Sequence, residues 1–416
     1  MNTFRAFKHR NFKLFFYGQS VSLLGTWIQK TAVVWLVYRL TGSALLLGVV
    51  TFVSLIPTLI LSPYAGSYID RHDGFKVMKN TQKASLLQAG ALAGIVYFGL
   101  YNVAAIIFLS LVQGVINAFD VICRQSMMVK MVDDKADLPN AIAMNSTMSN
   151  MARVVGPAFA GVMLTTLGED FCFVSNFLSY LPVLFCLYQM KIIRNESNVP
   201  VNNIMDDLKA GFKYITSDKE MIGLIMLLSA SSLLVAPFTT LMPIFAKDLF
   251  HGNAGTFSLF ESAIGVGSVI SAIYMAQLTA INKLIKVTVV SSLIFGVGII
   301  LIGGAGNISF ALLGMVVSGC GMMAQSSSIN TYIQTHARPE MRSRAIGYYV
   351  MAYLGISPIG SLMIGVLAEY MKPRELVAME GVIGLLIVAA YLFYRKRLKE
   401  SHTTRRPFYK VMELAN

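Results

Sequence analysis

Leu138 to Gly161 reads LPNAIAMNSTMSNMARVVGPAFAG, and Pro339 to Leu362, 201 residues later, reads PEMRSRAIGYYVMAYLGISPIGSL. In this register Gly156-Pro157 falls on Ser357-Pro358, and each copy occupies the fifth of six apolar stretches in its own half of the chain. A second, shorter match pairs Gly42-Ser43-Ala44 with Gly252-Asn253-Ala254. The 416 residues therefore read as two related halves.

The apolar stretches lie near residues 14–38, 43–69, 76–100, 103–131, 138–168, 171–191, 221–247, 253–280, 284–304, 307–335, 343–370 and 376–394. As helices they have the length to cross a hydrocarbon core of roughly 30 Å. With 55% hydrophobic and 13% charged residues and a mean hydropathy of +0.63, the chain is unlike a soluble domain. The runs do not alternate polar with apolar residues, which excludes a membrane β-barrel. The expected fold is an all-α membrane protein with 12 transmembrane helices in two pseudo-symmetric six-helix bundles. Residues 1–191 form the first bundle, 192–220 a cytoplasmic linker with a short amphipathic helix, 221–398 the second bundle and 399–416 a cytoplasmic tail.

The net charge of +13 follows topology rather than nucleic-acid binding. Of 34 Lys and Arg, 28 fall in the N-terminus, the even-to-odd connections with their helix ends, and the C-terminal tail. Arg39, Lys247, Lys372 and Arg374 face the other side, and Lys30 and Arg153 are intramembrane. This bias predicts that both termini are cytoplasmic, and the expected location is a bacterial-type inner (plasma) membrane. Cys123, Cys172, Cys186 and Cys320 are scattered singly, so neither a disulfide framework nor a metal site is indicated. No GxxxxGK[ST] motif occurs, so no ATP engine is expected.

After the second stretch comes AGSYIDRHDGFKVMK, Ala65 to Lys79. Gly66, Asp70 and Arg71 followed by Lys76 and Lys79 resemble the loop signature of the major facilitator superfamily. Gly66 is expected to let helices approach closely, and Asp70 to sit against the positive N-terminus of a helix from the other half. The resemblance implies that Asp70 and Arg71 belong to a latch closing the cytoplasmic side, with Asp120 as the acid at the end of the fourth span. Arg124, one turn on, is placed to pair with Asp120. The segment RVVGPAFAG, Arg153 to Gly161, resembles the Gly-Pro motif of the superfamily's exporters, with Ala160 in place of one glycine. Gly156, Pro157 and Gly161 are expected to form a packing hinge against the opposing half. Together with GTWIQKTAVVWLVYRLTGSALLLG from Gly25 to Gly48, these features are similar to the branch holding the enterobactin exporter and macrolide efflux proteins. One departure stands out. Ser110 occupies the position, three residues before Gln113-Gly114, where proton-coupled members often carry Arg.

A charge at the bilayer centre costs about 3 kcal/mol even on a lenient scale, so it faces a cavity or a partner. Lys30, Arg153 and Glu261 qualify. Counted from Arg39 and Asn253, at about 1.5 Å per residue, Lys30 and Glu261 lie at similar depth on opposite halves. Lys30 and Arg153 are expected to form a cationic substrate site, and Glu261 either pairs with them when the site is empty or carries the coupling proton. A structural Glu261–Arg153 pair and an outward-snorkelling Lys30 are the alternatives. Further substrate-binding candidates are Gln19, Trp27, Gln29, Asn117, Gln325 and Ser328, though such polar groups also serve as interhelical glue.

The repeat and the resemblance imply a secondary transporter working by alternating access. It is expected to export a siderophore or related amphipathic, anionic small molecule, coupled to an ion gradient. A multidrug or macrolide pump, an importer of the same fold and a non-transporting sensor remain the alternatives. No catalysis and no cofactor are expected. The expected partners are the small-molecule substrate and the lipid bilayer, without nucleic acid or ATP, and the protein is expected to be a monomer.

Overall fold

The computed structural model describes residues 5–192, 204–278, 283–338 and 341–412. Among these the secondary structure is helical, without a strand. The first half contains α1 (Arg10–Thr41), α2 (Ala44–Arg71), α3 (Gly74–Tyr97), α4 (Val103–Met131), α5 (Leu138–Thr166) and α6 (Glu169–Gln189). The short helix α7 (Ile204–Ser217) follows. The seventh membrane unit is composite: α8 (Lys219–Leu234), a 3-10 segment at Ala236–Leu241, α9 (Met242–Ile244) and a π turn at Phe245–Leu249. Then come α10 (Ala254–Gln277), α11 (Leu284–Gly303) and α12 (Ile308–His336). The eleventh unit is α13 (Arg342–Val350), a π turn at Met351–Gly355 and α14 (Ser357–Leu367). The twelfth is α15 (Pro373–Met412).

Ten helical units among the described residues are long and apolar enough to cross a membrane. The remaining two, α3 and α5, are 24 and 29 residues long and run beside them, which fits the twelve-span arrangement.

Tight turns between spans come from side-chain caps on the orphan N–H groups at helix starts. Ser43 accepts from the Leu46 amide, Asp73 from those of Phe75 and Lys76, and Asn102 from that of Ala105. Asp218 and Asn307 cap α8 and α12 in the same way. Asn253 forms a reciprocal capping box with Thr256. The short match between Gly42-Ser43 and Gly252-Asn253 thus has a physical reason, because each places an acceptor at the start of the second span of its half. The turns differ in one respect: Gly42 takes the left-handed conformation in the first (φ 61°), and His251 takes it in the second (φ 52°).

The repeat is less regular than the sequence predicts. The seventh span reads as one continuous stretch, yet it breaks where Pro237 and Pro243 withhold backbone donors. The eleventh breaks into a π turn ahead of Pro358, whereas its repeat partner α5 runs through Pro157 as one helix. Non-helical backbone at membrane depth is tolerated where it is buried in protein or lines a cavity.

Small residues bring the helices together. A Cβ on Gly267 of α10 would lie 2.0 Å from the Val316 carbonyl oxygen of α12, and one on Gly319 would lie 2.1 Å from that of Ile264. The halves meet along α2 with α14 and α5 with α10. In the first crossing a Cβ on Gly48 would stand 2.6 Å from the Ser361 carbonyl oxygen, and in the second one on Gly161 would stand 2.5 Å from the Ser258 Cβ.

The ends of the molecule differ in how they are filled. We call the end bearing α7 and most Lys and Arg the basic end, and the other the far end. At the far end one hydrophobic core is shared by both halves, with Trp35, Tyr38, Ala44 and Leu47 packed among Phe238, Phe245 and Phe257. At the basic end there are two separate cores, one around Phe12, Phe15, Met127 and Tyr180 and the other around Met221, Leu224, Tyr332 and Tyr391. Among the described residues the hydrophobic core common to both halves lies at the far end.

Candidate functional site

A cavity of about 260 Å³ lies between the halves. Trp27, Lys30, Thr31 and Val34 of α1, Thr51 and Leu55 of α2, and Arg153 of α5 form its first-half wall. The second half contributes Ser232, Phe257, Glu261, Ile264, Gly265, Ser268 and Met322 from regular helix. Ala236, Thr239, Thr240, Tyr353, Leu354 and Ser357 come from, or border, the two broken spans, and Ser361 follows in α14. The repeat register places Leu354 at the position of Arg153, and both line the cavity.

Lys30, Arg153 and Glu261, far apart in sequence, thus converge on one space. Lys30 is exposed, but to the cavity. Its Nζ stands 4.5 Å from the centroid of the Trp27 ring, and the Arg153 guanidinium carbon stands 5.7 Å from that same centroid. Trp27 is fixed in turn by Gly156, where a Cβ would come within 2.4 Å of the Trp27 Cβ. Gly156 therefore serves packing inside its own half rather than against the opposing half, while Gly161 does meet the opposing α10. Among the described residues no ion pair within 4.0 Å joins Lys30 or Arg153 to Glu261. Arg153 Nε is buried without a hydrogen-bond partner. A cation–π contact contributes about 0.5–2 kcal/mol, less than the roughly 3 kcal/mol cost of a charge at this depth. Two cations resting on one indole thus share the cavity with Glu261, the carboxylate whose charge acts on Lys30.

The other binding candidates lie outside the cavity lining. Gln29 accepts a hydrogen bond from Asn176 at 2.7 Å and donates to Gln88 at 3.4 Å. Gln325 donates to Ser231 and Ser292 at 3.0 and 2.8 Å, and Ser328 shares a hydrogen bond with Thr288 at 2.8 Å. Asn117 accepts from Gln113 one turn away, and Gln19 is buried. Most of these polar groups tie helices together within a half. Thr239, Thr240, Tyr353 and Ser357 escaped the sequence reading, although Pro237, Pro243 and Pro358 mark where irregular backbone delivers them.

Above the cavity the far end is sealed by contacts between halves. Trp35 stacks on Phe257 with centroids 6.2 Å apart. Tyr38 donates a hydrogen bond to Asp248, and Lys247 Nζ lies 5.3 Å from the Tyr38 centroid. The Ser43 hydroxyl and the Leu45 amide both donate to Glu369 at 3.2 Å.

At the basic end Asp120 pairs with Arg124 Nε at 2.8 Å and accepts from Thr81 and Gln82 of α3 at 3.1 and 2.7 Å. The side chains of Asp70 and Arg71 lie outside the described residues. Gly66 does not make the close approach expected of it, since a Cβ there would meet nothing within 4 Å. That corrects the expectation for this conformation, in which the basic ends of the halves have separate cores.

A family model described as transmembrane secretion effector matches residues 1–412. The staphyloferrin A transporter of Staphylococcus aureus is 24% identical over 396 residues, covering 93% of this chain and 97% of that protein. Macrolide efflux protein A of Streptococcus pyogenes is 19% identical, covering 91% and 96%. Among solved structures, a bacterial homologue of the iron transporter ferroportin in its inward-facing state superposes with a TM-score of 0.71 at 15% identity, covering 92% of this chain and 98% of that one. The nucleoside transporter NupG gives 0.70 at 14%, covering 95% and 100%. The chain belongs to the transmembrane secretion effector family of major facilitator transporters.

Proposed function

We propose that this transporter exports an amphipathic small molecule bearing at least one carboxylate, of the siderophore type, from the cytoplasm across a bacterial inner membrane. The observation that carries this reading is the pair of cations on Trp27 with no carboxylate in contact. Lys30 and Arg153 hold the carboxylate, and the apolar wall of Val34, Leu55, Phe257, Ile264 and Met322 takes the rest of the solute. The name of the Staphylococcus aureus relative supports a siderophore as cargo.

In this reading residues 1–191 and 221–398 are the two moving bodies and the basic end is cytoplasmic. The far-end seal opens as the basic ends close, with Asp70, Arg71, Asp120 and Arg124 forming the latch on that side. Glu261 competes with the solute carboxylate for the same cations and takes up a proton when displaced, which would couple export to a proton gradient. Transport proceeds without ATP and as a monomer.

The test uses protein in liposomes with the siderophore secreted by the host, together with a deletion strain assayed for siderophore in its medium. Export is supported by lower secretion with unchanged uptake, and intact secretion with failed uptake reverses the direction. A second reading, efflux of cationic macrolide-type drugs, is favoured by Glu261 in the apolar wall and by the macrolide relatives. It is the correct one if the deletion strain gains drug sensitivity while its siderophore secretion is unaltered.

A further inference from the structure

Outside the transport path, α3 and α6 present a surface whose lysines form no ion pair among the described residues. Lys76, Lys79, Lys83 and Leu87 follow one another at helical spacing along α3, from the basic end into the apolar band. Beside them on α6, Leu181, Phe185 and Tyr188 form an exposed apolar stripe. Lys79 Nζ lies 5.0 Å and Lys83 Nζ 5.6 Å from the centroid of the Tyr188 ring, and Lys79 also lies 4.2 Å from that of Phe75. Two ammonium groups are therefore gathered around one phenol that is itself 58% exposed.

Among the described residues no carboxylate comes within 4.0 Å of either ammonium. Asp120, the buried acid of this bundle, belongs to the opposite face of α3, where Thr81, Gln82 and Arg124 occupy it. Like charges one helical turn apart repel, and their convergence on Tyr188 calls for an anion between them. With Leu87 at 73% exposure one turn deeper, and Phe185 at 65% one turn deeper on α6, the surface at this level faces lipid rather than water. The anion found at such a boundary is the phosphate of a lipid headgroup, and basic pockets between membrane helices suit this chemistry.

We propose that Lys79, Lys83 and Tyr188 form a binding site for the headgroup of an anionic phospholipid in the leaflet at the basic end. The lysines contact the phosphate, Tyr188 lies against the glycerol region, and the acyl chains run along Leu87 and Phe185. This site is independent of the transported solute.

Native mass spectrometry of the purified full chain, titrated with phosphatidylglycerol or with phosphatidylcholine of the same acyl chains, tests it. Wild type is expected to retain phosphatidylglycerol in preference. The double variant Lys79→Gln/Lys83→Gln should weaken that retention about tenfold, from two surface cations each contributing a modest increment. Lys79→Arg/Lys83→Arg should retain it, and the single Lys83→Gln should fall between, which guards against loss of the double variant to misfolding. Undiminished phosphatidylglycerol binding by the Gln variants overturns the proposal. So does displacement by millimolar inorganic phosphate, which would make the ligand a free anion.

Discussion

At the residue scale, the candidate site turns on Trp27. Its indole carries both Lys30 and Arg153, and all three line the cavity together with Glu261. Lys30→Ala is expected to lower kcat/KM for a carboxylate-bearing substrate at least tenfold, about 1.4 kcal/mol, with Lys30→Arg retaining part of it. Equal kinetics in wild type and both variants, measured in liposomes, would remove Lys30 from the mechanism. Glu261→Gln should leave substrate binding within a few-fold of wild type while abolishing the response of transport to an imposed pH gradient. These three charges were legible in the sequence because an ionisable group in an apolar span must face a cavity or a partner. Gln29 and Gln325 were not separable from binding residues by the same logic. An amide in a helix satisfies itself equally well against a neighbouring helix, as both do here through Asn176, Ser231 and Ser292.

At the scale of elements, apolar length marked helices of which ten, among the described residues, can cross a membrane, but it could not show where the backbone leaves the helix. The seventh span carries Pro237 and Pro243 in a run whose hydropathy never falters, so only the prolines signal the break. A double Pro237→Ala/Pro243→Ala variant should extend regular helix through Thr239 and Thr240, withdraw their hydroxyls from the cavity and reduce transport several-fold, while thermal stability holds or rises. A loss of folding without any gain of helix would contradict that. At the basic end, His9 precedes α1 and bonds Asp133 at 3.1 Å and Asp137 at 3.2 Å, tying the start of the chain to the α4–α5 connection. Burial lowers its tendency to hold a proton, but the two carboxylates prevail and its pKa is raised above 6.5. The stabilising contribution of protonated His9 is thus fully present below pH 6.5 and is lost as pH climbs through the raised value. Melting temperatures of the purified protein should fall over that window, and His9→Gln should flatten the decline by removing the titrating group.

Across the whole molecule, twofold organisation was visible in the repeat at offset 201, and the unequal filling of the two ends was not. Nothing in the one-dimensional pattern distinguishes a core shared by both halves from two cores side by side, because the same apolar residues serve either. The far-end clasp, by contrast, rests on specific pairs. Tyr38→Phe and Asp248→Ala each remove the hydrogen bond between α1 and the π turn of the seventh span. Both are expected to shift the population toward a form open at the far end, read as several-fold faster labelling of a cysteine introduced at Ser232 by a reagent added from that side. Unchanged labelling in both variants would show that the hydrogen bond does not gate the cavity.

The duplicated register also leaves an unused foothold. Leu354 borders the same chamber as Arg153, from the opposing wall and at the matching point of the repeat register. An ionisable side chain at position 354 would bring charge into that chamber from the second half while leaving Arg153 in place. Replacing Leu354 with a basic or acidic residue offers the shortest engineering route to new selectivity.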